Sequence, residues 1–276
     1  MRRSTTSAAT DRRRLAALLV TELICALLLI GRPEPAPAGP AIAAPVSLTT
    51  PTAASASQTL RDGRTVRLVG LGGQHTAPLL ARIAAQSDDA AQAVTAFWGP
   101  DWPREVLIVA AASDEQFGSL AGGGADTAAT TTAERITFAP GADSMSDANL
   151  RIVLRHELFH YAARAETAAD APRWLTEGVA DFVGRPLTPP PANAAALAHI
   201  PTDADLDGPD RSLAYDRAWW FSRFVADEYG SPTLRALYVR ACGHGHPDTS
   251  TAVRETLGAD FDSVLTRWAH WLNRIA

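Results

Sequence analysis

Lysine is absent from this chain: all 25 basic residues are arginine, set against 30 acidic ones for a net charge of −5. Alongside abundant alanine and 19 prolines, this usage reflects compositional bias rather than a built cationic surface. The mildly acidic balance argues against nucleic acid as a partner. Cysteine is nearly missing too. Cys25 sits in an apolar run and Cys242 near the C-terminus, so no disulfide framework is available. Long apolar runs are also lacking: the longest, from Leu15 to Ile30, falls short of the roughly 20 residues that span a bilayer, and Glu22 interrupts it. No internal repeat is visible, and nothing in the sequence signals an oligomeric state.

What the N-terminus does contain is ordered. Arg2, Arg3, Arg12, Arg13 and Arg14 precede the apolar run, the charge-then-apolar order of a secretory signal. Small-residue cleavage sites stand at Ala36-Pro37-Ala38 and Ala41-Ile42-Ala43. Cleavage is expected, with retention as a membrane tether through residues 15–30 as the alternative; either outcome makes the protein extracytoplasmic, secreted or anchored to the cell membrane. Cys25 lacks the small residues that precede a lipidated cysteine. From Gly31 to about Ser57, Pro, Ala, Thr and Ser predominate without apolar periodicity, which predicts an extended linker. The expected organisation is a signal peptide or anchor over 1–38, a linker over 39–58 and one folded domain over 59–276.

Within that domain, Thr65 to Val69 alternates as a half-buried strand does, and Gly70, Gly72 and Gly73 read as a turn, because a phosphate loop needs a third spaced glycine. Helical spacing runs from about Ala77 to Phe97. A β-branched strand follows at Glu105–Val109, then a helix centred on Phe117, a loop at Gly122–Gly124, and a strand from Arg135 to Ala139 stopped by Pro140-Gly141. Beyond that the pattern is nearly all helical. Strands first and helices afterwards predict an α+β fold rather than a wound parallel sheet.

A helix is expected from Ser146 or Asp147 to about Ala163, carrying His156-Glu157-Leu158-Phe159-His160. Histidines four apart lie one turn apart on one face, so both imidazoles can reach a single ion about 2 Å from their nitrogens. Glu157 projects beside them, where its carboxylate can take a proton from a water acidified by the cation and pass it to a leaving amine. A second helical stretch, Trp174 to Phe182, sets Glu177 and Asp181 four apart on one face. Glu177 is the natural third ligand; three protein ligands leave the fourth position that distinguishes catalytic from structural zinc. Asp181 can accept the other ring N–H of a ligand histidine and so fix its tautomer.

H-E-x-x-H followed by E-x-x-x-D on a later helix resembles the gluzincin zinc metallopeptidases, and Trp174-Leu175-x-Glu177-Gly178-x-Ala180 is similar to the third-ligand helix of the peptidase MA group. The resemblance covers roughly residues 105–240. It implies a zincin-like α+β domain, with a small N-terminal sheet and helices followed by a mainly helical part. It further implies zinc held by His156, His160 and Glu177, with Glu157 as base and Asp181 behind the ligands. Metzincins are excluded, because Ala163 and Glu166 stand where that family has Gly and His. The Gly-x-Met-Glu-Asn stretch by which related aminopeptidases bind a free amine is missing from Arg135–Gly141, so the implied activity is peptide-bond hydrolysis without a stated cleavage mode.

Proteins of this kind carry a downstream oxyanion donor, and Tyr215, at the start of an expected helix, is the candidate here; His199, His244 and His246 are weaker ones. The strand through Ile136-Thr137-Phe138 is expected as the sheet edge along which a peptide substrate pairs. Asp203-x-Asp205-x-Asp207-Gly208 has the opening spacing of a calcium loop, but Ala214 stands where the closing Glu belongs, so an acidic loop is expected and calcium is only an option. Two rivals to a peptidase remain: a catalytically silent zincin-like binding or sensing module, and a metal-free fold with a structural His pair.

Overall fold

The secondary structure follows where apolar side chains can be buried. In this computed structural model, which describes residues 54–122, 127–190 and 194–276, strands come first: β1 (Ala54–Thr59), β2 (Thr65–Gly70) and, after helix α1 (Thr76–Trp98), β3 (Glu105–Ala110). Helix α2 (Asp114–Ala121) precedes the short strands β4 (Ala129–Thr131) and β5 (Ile136–Phe138). From there the chain is helical: α3 (Asp147–Ala163), α4 (Arg173–Gly184), α5 (Asp203–Asp207), α6 (Arg211–Tyr229), α7 (Ser231–Cys242), α8 (Thr249–Leu257) and α9 (Phe261–Ile275). The fold is α+β. The described residues fall within one compact unit. The signal or anchor over 1–38, Cys25, the linker up to residue 53, and Gly123 and Gly124 lie outside the described residues. Among the described residues no helix is long and apolar enough to cross a membrane.

The five strands lie in the order β1-β2-β3-β5-β4, with β2, β3 and β5 parallel and β1 and β4 antiparallel at the two edges. Two expectations are corrected. Ala54–Thr59 belongs to the folded unit rather than to a linker reaching 58: its small polar side chains are mostly exposed, and it is held by backbone pairing with β2. The strand Ile136–Phe138 is not the sheet edge; β3 flanks it on one side and β4 on the other, with Thr131 opposite Ile136. On that side of the sheet the edge strand is β4.

Helix α1 buries Leu79, Ile83, Ala90, Val94 and Trp98 against the sheet and α3. Helix α3 starts where the Ser146 hydroxyl accepts from the Asn149 N–H, a side-chain cap. Its rotation is fixed by Phe159, fully buried between the two motif histidines. That ring meets Trp98 and Tyr238 edge-to-face at 5.7 and 5.3 Å, contacts worth about 0.5–1.5 kcal/mol each beyond area burial. Helix α4 begins after Pro172 and packs between α3 and α6.

Two glycines permit that packing. A Cβ at Gly178 would lie 2.4 Å from the Ala218 carbonyl oxygen on α6, and one at Gly184 would lie 2.9 Å from the Ile152 carbonyl oxygen on α3. Neither backbone can yield without moving its helix. Gly178→Ala is therefore expected to cost at least about 2 kcal/mol through overpacking, read as a lowered urea midpoint. Gly141→Ala, where the added methyl meets nothing within 4 Å, should shift the midpoint little.

Candidate metal centre

Helices α3 and α4 turn three side chains toward one point. His156 Nε2 and His160 Nε2 are 3.1 Å apart, Glu177 Oε2 lies 3.3 Å from His156 Nε2, and Glu177 Oε1 lies 3.7 Å from His160 Nε2. Ligand atoms about 2.0–2.1 Å from a tetrahedral zinc are themselves roughly 3.3–3.4 Å apart, so the three fit one ion. They form the one group of three or more His, Cys, Asp or Glu side chains among the described residues with the spacing to hold a metal.

The surroundings prepare these donors. His156 Nδ1 lies 2.9 Å from Asp181 Oδ1; with its proton donated there, the Nε2 lone pair faces Glu177 and His160. Asp181 is buried, at 4% exposure. Burial opposes a charge on His156, but hydrogen bonds to Asp181 and Glu177 together with their charges outweigh it and lift its pKa well above the usual value. Burial likewise opposes the Glu177 carboxylate, and the charge of His160 with hydrogen bonds from both imidazoles overrides it, holding Glu177 ionised far below the usual range. The cluster is thus built around positive charge between its donors.

Glu157 is 8% exposed and sits beside this group without joining it. Its Oε2 accepts from the Thr131 hydroxyl at 2.7 Å, and the same hydroxyl lies 2.9 Å from the Glu157 carbonyl oxygen. Thr131 ends the edge strand β4. Sequence reasoning missed it, since a three-residue strand carries no readable periodicity and a threonine in a run of three gives no motif.

Neither the family models nor the curated proteins compared with the chain match it. Among solved structures, it superposes on a two-domain M1 zinc metallopeptidase variant bound to L-arginine, with a TM-score of 0.48, 18% identity, and coverage of 79% of this chain and 51% of that one. It also superposes on an M1 zinc metallopeptidase variant from Deinococcus radiodurans, with a TM-score of 0.47, 17% identity and the same coverage. The chain spans about half the length of either.

Tyr215 lies in the first turns of α6, half-buried, and its hydroxyl makes no hydrogen bond among the described residues. Burial first, then the negative charges of Glu177, Asp181 and Glu157, keep the phenol protonated, pushing its pKa well up against the opposing charge of Arg173. The other candidates do not converge on the cluster. His199 and His244 are exposed, and His244 Nε2 lies 3.2 Å from the Ala165 carbonyl oxygen. His246 Nδ1 faces the Pro247 carbonyl oxygen at 2.8 Å. The Cys242–His246 stretch works as a latch instead: the Ala168 N–H donates to the Cys242 carbonyl at 2.7 Å, tying down the loop between α3 and α4.

The acidic loop expected at Asp203–Asp207 is instead helical. These residues form the short helix α5, closed by a capping box between Thr202 and Asp205, while Asp207 is paired through both oxygens with Arg173 at 2.9 and 3.0 Å. Two of the three carboxylates, those of Asp205 and Asp207, are committed to Thr202 and Arg173.

Purified protein is expected to retain one zinc per chain after dialysis, measured by elemental analysis. Glu177→Ala should lose it, and Glu157→Gln should keep it.

Proposed function

We propose that this protein is a zinc-dependent peptidase that hydrolyses peptide bonds of an extracytoplasmic peptide or protein. The observation that carries the reading is the convergence of His156 Nε2, His160 Nε2 and Glu177 within 3.1–3.7 Å, with the buried Glu157 carboxylate beside them. A site that only bound metal would have no use for that carboxylate, which disfavours the silent module. The extracytoplasmic location rests on the arginine-rich, apolar order of the first 30 residues.

In this reading His156, His160 and Glu177 hold the zinc, which when bound polarises the scissile carbonyl and acidifies water. Glu157 takes the proton from the attacking water and delivers it to the departing amine, so its net change over the cycle is nil. The Thr131 hydroxyl holds Oε2 of Glu157 and leaves Oε1 to accept that proton. Asp181 keeps His156 in the tautomer whose Nε2 is free to bind the metal. Tyr215, protonated at any working pH, donates to the oxyanion as it develops. The substrate backbone pairs along the open edge of β4, which ends at the residue that touches Glu157.

A peptide-library digest with and without chelator tests this. Cleavage is expected in the zinc-loaded protein and should stop with chelator. Glu157→Gln should lower the rate by about 10²-fold or more while zinc stays bound; full activity in that variant sinks the assignment. Tyr215→Phe should lower kcat by about 10²-fold with KM little changed. Failure to cleave any peptide by a zinc-loaded wild type would favour the binding module.

A further inference from the structure

Arg185 is not part of either motif, yet it is the cation closest to the ligand-supporting acid. It closes α4 as its C-cap, with its backbone N–H donating to the Asp181 carbonyl at 2.8 Å. The side chain then turns back along the helix. Its Nη2 lies 2.6 Å from Asp181 Oδ2, and its Nη1 donates to Asp216 Oδ1 at 2.6 Å. Asp181 uses its other oxygen, Oδ1, on His156 Nδ1. The guanidinium carbon lies 5.4 Å from the Trp219 ring centroid on α6, and Asp216 follows Tyr215 directly in the chain.

We infer that Arg185 is a positioning residue for the metal centre: one guanidinium fixes the carboxylate that orients His156 and fastens it to the α6 turn that carries Tyr215. The inference rests on the zinc reading above. Asp181 Oδ2 is buried and has no partner of hydrogen-bond geometry among the described residues, so the Arg185 ion pair is its compensation. Without that pair Asp181 keeps a buried, uncompensated oxygen, which favours rotation of the carboxylate toward water and away from Nδ1. The rigid guanidinium fork spans two carboxylates at once, whereas a lysine ammonium can offer charge but not that fixed bridge. An ordinary surface ion pair would do neither, because its partner would not be a buried group in contact with a ligand imidazole.

Zinc affinity of the full chain, measured by competition with a chromophoric chelator, tests this together with the visible absorption of the cobalt-loaded protein and the melting temperature of the metal-free protein. Arg185→Gln is expected to weaken zinc binding by about 10–100-fold and to shift the cobalt bands. Arg185→Lys should recover part of the affinity, and it carries the test if the glutamine variant does not fold. Zinc affinity within about twofold of wild type in the folded variants, with unshifted cobalt bands, overturns the inference. So does a loss confined to metal-free stability. A wild type that takes up no zinc overturns the metal reading and this inference with it, whereas a wild type that binds zinc tightly beside unaffected Arg185 variants overturns this inference alone.

Discussion

Everything in the candidate centre depends on how closely α4 passes its two neighbours. Helix axes normally stand 8–10 Å apart according to the side chains between them. At Gly178 and Gly184 this chain has no side chain, so α4 rests on carbonyl oxygens of α6 and α3. Glu177 adjoins the first of these contacts, and Asp181 lies between the two. The same approach therefore brings Glu177 to the histidines, Asp181 to His156, and the start of α6 to the electrostatic reach of both acids. Phe159, wedged against Trp98 and Tyr238, prevents α3 from turning its histidines away.

Electrostatics then completes what packing begins. Three carboxylates, those of Glu157, Glu177 and Asp181, lie in or beside a cluster with two imidazoles, and Arg185 offsets part of that charge from the outer side. Positive charge between the imidazoles and Glu177 is what the directions of the His156 and Glu177 shifts both ask for. A proton can supply it in part; a divalent cation at the same point supplies more and satisfies both imidazole lone pairs at once. The second outer acid, Asp216, gives the guanidinium a reason to stay extended along α4 rather than swing to solvent.

Much of this was legible in the sequence, and for definite reasons. The helix from Asp147 to Ala163 announces itself by its cap and spacing, and helical geometry sets His156 with His160 on one face and Glu177 with Asp181 on another. Strand Glu105–Ala110 is apolar enough to read at once. What stayed hidden is what only tertiary pairing creates. Ala54–Thr59 buries little and so looks like linker, yet it is a strand by hydrogen bonding to β2. The order of β4 and β5 in the sheet reverses their neighbourhood in the chain, so Ile136–Phe138 reads as an edge and is in fact covered. Asp203, Asp205 and Asp207 share a spacing with a metal loop, but Thr202 caps them into a helix, a competing local solution that the count of acids does not reveal.

The covered β5 bears on the chemistry as well as on the fold. β3 and β4 occupy both hydrogen-bonding edges of β5, so no further strand can pair with it. With β4 outermost, the strand at that edge is the one whose last residue holds the Glu157 carboxylate through its hydroxyl and also reaches the Glu157 carbonyl. Any displacement of β4 therefore acts directly on the Glu157 carboxylate. Under the proposed function, pairing with a substrate backbone and orienting the carboxylate would fall to the same edge. Thr131 supplies this link with a side chain short enough to keep the strand and the helix in contact, where a longer polar residue would push them apart and a methyl would leave Oε2 without its partner.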